Sequence, residues 1–69
     1  MTKHDAIEVK KRADKAIAEL DLIVADIRDN CSEEEFKSIR RAVGNCLAVI
    51  INEILEPIYK QYPEMDDLR

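Results

Sequence analysis

Between Ala6 and Ile27 the apolar residues Ala6, Val9, Ala13, Ala16, Leu20, Ile23 and Ile27 follow one another in alternating steps of three and four. That alternation places one side chain per turn on a single face of an α-helix. It is incompatible with the period of two that a half-buried strand requires. Ile17 and Val24 widen the stripe beyond the narrow seam of a two-stranded coiled coil, as a bundle helix needs. Its first half is built on alanines, which let a neighbour approach closely, and its second half on Leu and Ile, which demand a thicker core. The spacing predicts helix 1 over about 3–29.

Turn punctuation is sparse. One Gly and two Pro in 69 residues are too few for a multi-stranded β fold and leave nothing for a glycine-rich phosphate loop. The pattern breaks at Asp29, Asn30, Cys31 and Ser32, where Asn30 suits a left-handed helix C-cap. Ser32 with Glu35 three residues on spells a capping box, and Glu33, Glu34 and Glu35 favour the positive end of a helix dipole. Cys31 and Phe36 are placed for a hydrophobic staple. A turn over 30–32 therefore leads into helix 2, over about 33–62. Its stripe is Phe36, Ile39, Val43, Cys46 or Leu47, Ile50, Ile54 and Ile58. Pro57 is expected to kink this helix and Pro63 to end it. The tail, 63–69, is polar apart from Met65 and Leu68 and is expected to fray.

Two such helices joined by a short turn predict an all-α fold in one domain, 1–69. The arrangement is an antiparallel helical hairpin about 40 Å long. One hairpin leaves much of each stripe wet, so pairing into a homodimeric four-helix bundle is expected. The competing arrangement breaks helix 2 at Gly44–Asn45 and folds a three-helix monomer. Mid-helix Gly costs only about 1 kcal/mol and no loop residues surround it, so the unbroken helix is preferred.

Helix 2 is apolar on a second side as well. Gly44, Ala48, Ile51, Leu55, Tyr59 and Tyr62 form a row at helical spacing, and they are the candidate protein interface. Gly44 and Ala48 are small enough to let another backbone come close. Asn45 and Asn52, seven apart on one face, are of the type that fixes register in a core.

Chemistry is thinly represented. The single histidine, His4, stands near a helix end and could touch a metal only weakly with Glu8. Glu53 and Glu56 lack the histidine spacing of a di-iron bundle. Cys46 lies among apolar neighbours and Cys31 among acids, and neither setting favours a thiolate. No enzyme, cofactor or metal site is expected. Cys31 and Cys46 would lie about 22 Å apart along a helix, too far for a disulfide. With no signal peptide or uncharged apolar span in view, the expected setting is the cytoplasm, with no membrane partner.

The alternative is a basic strip on helix 1, from Lys3, Lys10, Lys11 and Lys15, doubled across a two-fold dimer. In length, hairpin plan and a turn near residue 30 the chain resembles the small plasmid copy-control RNA-binding proteins, which are dimers of helical hairpins. The resemblance implies RNA binding through that strip. No motif is shared, and architecture alone transfers no function. Asp5, Glu8 and Asp14 interleave with the lysines, and the net charge is −4, which disfavours nucleic acid. The expected function is a small non-enzymatic protein-interaction or regulatory module that pairs with itself and works on another protein.

Overall fold

The computed structural model describes residues 1–66 and is all-helical over them; Leu68, part of the expected tail, lies outside the described residues. Helix α1 spans Lys3–Ile27. Helix α2, Glu33–Val49, runs into a π-helical turn, Ile50–Leu55, and then into α3, Glu56–Gln61. The three form one continuous rod, Glu33–Gln61. Gly44 and Asn45 lie within α2, so the rod does not break there.

The caps follow from local sequence. Thr2 Oγ1 accepts from the Asp5 N–H at 3.1 Å and starts α1. At the other end the Asn30 N–H donates to the Ile27 carbonyl at 3.0 Å, and the Asn30 side-chain amide donates to the Asp26 carbonyl at 2.9 Å. Asn30 is not in the left-handed region that the sequence suggested, since no described non-glycine residue has a positive φ. The reason is physical: its side chain satisfies a terminal carbonyl directly, avoiding the steric cost of a left-handed non-glycine residue. The capping box of α2 is complete. The Glu35 N–H donates to Ser32 Oγ at 3.1 Å, and the Ser32 N–H donates to Glu35 Oε1 at 2.9 Å.

Helix α1 packs against both α2 and the π-turn. Ala6 and Ala13 are buried on its inner face, and Val9, Ile17, Leu20, Val24 and Ile27 are half-buried beside them. From the second rod, Val43, Leu55 and Ile58 are buried, with Phe36, Leu47 and Ile50 half-buried. Near the turn the Arg28 guanidinium lies 5.9 Å from the Phe36 ring centre. At the far end Ala6, Ile58 and Met65 form a small core, with Val9, Tyr59 and Tyr62 packed on it. There the Tyr62 hydroxyl donates to the Met1 carbonyl at 3.3 Å. The whole measures 45 × 21 × 16 Å.

The inner stripe of the second rod runs Val43, Leu47, Ile50, Leu55, Ile58 and Tyr62. Its one step of five falls in the π-turn, where the Glu56 N–H donates to the Ile51 carbonyl, five residues back. One extra residue per turn rotates everything after it, so Leu55 is 4% exposed while Ile54, the expected stripe residue, is 38% exposed. The α-helical rod ends at Gln61, before Pro63, and Pro57 stands in it just downstream of the π-turn. Its ring would crowd the carbonyl four residues back, that of Glu53, and Glu53 belongs to the wide turn. Pro63–Met65 forms a 3-10 turn, and Met65 is buried against Ala6 and Ile58 because its apolar side chain has a pocket to fill.

Replacing Ser32 with Ala should cost about 1 kcal/mol in urea unfolding. Leu55→Ala should cost about 3 kcal/mol by the same measurement, from lost burial and the cavity left behind. Ser32 donors hold the Glu35 carboxyl below the usual carboxylate range. The backbone of Glu64, and then Lys3, do the same for Glu64. Stability from these groups is fully present above the ordinary carboxylate range and is lost as pH falls below it. Melting temperatures should therefore hold from neutral pH to about 5 and drop below that, less steeply in Glu35→Gln.

Candidate protein interface

The apolar stripe of α1 is wider than its one neighbour can cover. Ala6, Ala13, Leu20 and Ile27, with Ile17 and Val24, turn toward the second rod. Val9, Ala16 and Ile23, seven residues apart, lie at one edge of that contact. Ala16 is exposed and Ile23 is 41% exposed. The second rod leaves a matching edge: Ile39 is 38% exposed, Cys46 is exposed, and Ile54 follows beyond the π-turn.

The two edges meet in one open face. Val9, Ala13, Ala16, Ile50 and Ile54, with Arg12 at the rim, line a groove of about 330 Å³. A second groove of about 320 Å³ adjoins it, sharing Val9 and Ile54 and adding Pro57 and Ile58. The small alanine side chains make this end concave. Toward the turn, Ile23 and Ile39 stand out as a ridge.

The accessible surface is 5333 Å². A compact monomer of this mass would show roughly 4,500 Å². The excess of roughly 900 Å² is comparable to what one partner contributes to a standard protein interface.

The row singled out in the sequence is divided by the π-turn. Gly44, Ala48 and Ile51 precede or enter it and are exposed, whereas Leu55 is buried and Tyr59 and Tyr62 pack on the end core. Beyond its own stretch of helix, nothing lies within 4 Å of where a Cβ at Gly44 would stand. Asn45 and Asn52 are both exposed. Simple 3-4 counting could not have found this division, because it assumes an unbroken α-helix. The open edge, by contrast, was present in the sequence as half of the stripe assigned to the core.

The basic residues are partly engaged. Lys3 pairs with Glu64 at 3.1 Å and Lys10 with Asp14 at 2.7 Å. Lys10, Lys11 and Lys15 border a surface hollow with Ile7, Asp14 and Met65. Glu53 is exposed and Glu56 half-buried. Cys31 and Cys46 are not joined, and the Cys31 thiol donates to the Ile27 carbonyl at 3.2 Å.

The rod Glu33–Gln61 is long and apolar enough to cross a membrane by length and composition, with mean hydropathy 1.3 over an 18-residue window. Glu53 and Glu56 interrupt the apolar run. Two carboxylates within it are costly in a bilayer.

Gly44→Ala should raise stability by about 0.5–1 kcal/mol in urea unfolding, because the site is helical and has room. No protein-family model, characterised protein or solved structure matches the chain.

Proposed function

We propose that this chain is a non-enzymatic association module. It is an antiparallel helical hairpin that works in the cytoplasm by pairing its open apolar face with other helices, as a homodimeric four-helix bundle. The observation that carries this is the half-covered stripe: Ile23, Ile39 and Ile54, each about 40% exposed, stand at the spacing of core residues. An apolar face of this extent on a small soluble domain is an interaction surface. A bundle of four helices covers both edges of each stripe, where two helices cover one. The cytoplasmic setting rests on the two unjoined thiols.

The interface of this module is the edge of Val9, Ala16, Ile23, Ile39, Cys46 and Ile54. Gly44 and Ala48, exposed members of the row beginning at Gly44, stand on the side of the helix away from Cys46. Light scattering of the pure protein should give about 16 kDa, twice the 8.0 kDa of one chain. Ile23→Glu should return it to one chain's mass while circular dichroism remains helical. Gly44→Leu should leave the dimer intact. A wild-type mass of one chain, or a dimer indifferent to Ile23→Glu, would overturn the proposal.

A further inference from the structure

We infer that the occupant of the open face is a second copy docked with its ends exchanged, so that the isoleucine ridge of each copy fills the alanine groove of the other. This rests on the dimer reading above and adds its geometry. Arg28 against Phe36 near the turn, and Ala6 against Ile58 at the other end, set the two rods level. Val9 then lies near the level of Ile54, Ala16 near Cys46, and Ile23 near Ile39. The face is therefore a groove at one end, small residues in the middle and a ridge at the other.

A two-fold axis across the middle places Ala16 over its own counterpart and Ile23 over Val9, because those two stand seven residues to either side of Ala16. Ridge then meets groove twice. With like ends together, Ile23 and Ile39 of both copies would collide. The grooves of about 330 and 320 Å³ would stay empty at the far end, and interiors do not tolerate such voids. The surface excess of roughly 900 Å² per chain suits an interface of this size.

Charge points the same way. Arg12 stands at the groove rim and Glu19 is an exposed residue seven further along the same edge of α1. Exchange of ends about Ala16 brings Arg12 of each copy beside Glu19 of the other. It also brings Asp5 near Asp26, but both are exposed and far out, where water screens them.

The test places one spin label per chain at Asp29→Cys, an exposed turn position, in a Cys31→Ser, Cys46→Ala background checked by light scattering for the wild-type mass, and measures the distance between copies. Exchanged ends put the labels about 40 Å apart. Like ends put them within about 20 Å, since neighbouring helices lie only 8–10 Å apart; that result overturns this docking while leaving the dimer intact. A light-scattering mass of one chain overturns the dimer itself. In a second arm, Arg12→Glu should weaken dimerisation about tenfold by sedimentation, and Arg12→Glu with Glu19→Arg should restore it. A double variant no tighter than the single one also overturns the exchanged arrangement.

Discussion

The wide hydrogen bonding of the π-turn Ile50–Leu55, closed where the Glu56 N–H donates to the Ile51 carbonyl, sets the register of the far half of the second rod. It spans five residues where an α-helix spans four, and the extra residue turns the following side chains by roughly a quarter of a revolution. Leu55, not Ile54, enters the core. Ile58 then meets Ala6, and Tyr62 comes within reach of the Met1 carbonyl. Without that wide turn the last two turns of the rod would present a different face to α1. The pocket that receives Met65 would not exist.

The same turn decides what remains outside. Ile54 is left on the open edge, lining both grooves beside Val9. Together with Ile23 and Ile39 it continues an apolar surface that the two rods cannot close between themselves. Helices with stripes this wide need neighbours on two sides, and one chain supplies a neighbour on one. A chain of 69 residues also has little volume in which to hide apolar surface. Both constraints support the proposed association, and the ridge and groove support its proposed direction.

Features governed by nearest neighbours were legible in the residues. The capping box of Ser32 and Glu35 has the predicted pair of hydrogen bonds, because its atoms are three residues apart and need no distant partner. Asn30 was misjudged because two local solutions compete there. A side-chain hydrogen bond to Asp26 replaced a left-handed backbone. Met65 was misjudged because its pocket is built by Ala6 and Ile58, distant in sequence.

The amino-acid sequence by itself determined that the chain is all-helical and that its two long stretches are divided near residue 30. It also determined that those helices carry more apolar surface than one partner helix can cover. Periodicity, caps and the scarcity of turn residues are local properties, and they suffice for that. Only the tertiary structure decided which part of each stripe is used up. The π-turn carries Leu55, Tyr59 and Tyr62 inward and leaves Gly44, Ala48 and Ile51 outside. Packing between the rods consumes the Ala6–Ala13–Leu20 edge and leaves the Val9–Ala16–Ile23 edge open. A one-residue change in register is invisible to 3-4 counting, because that counting assumes one unbroken α-helical period.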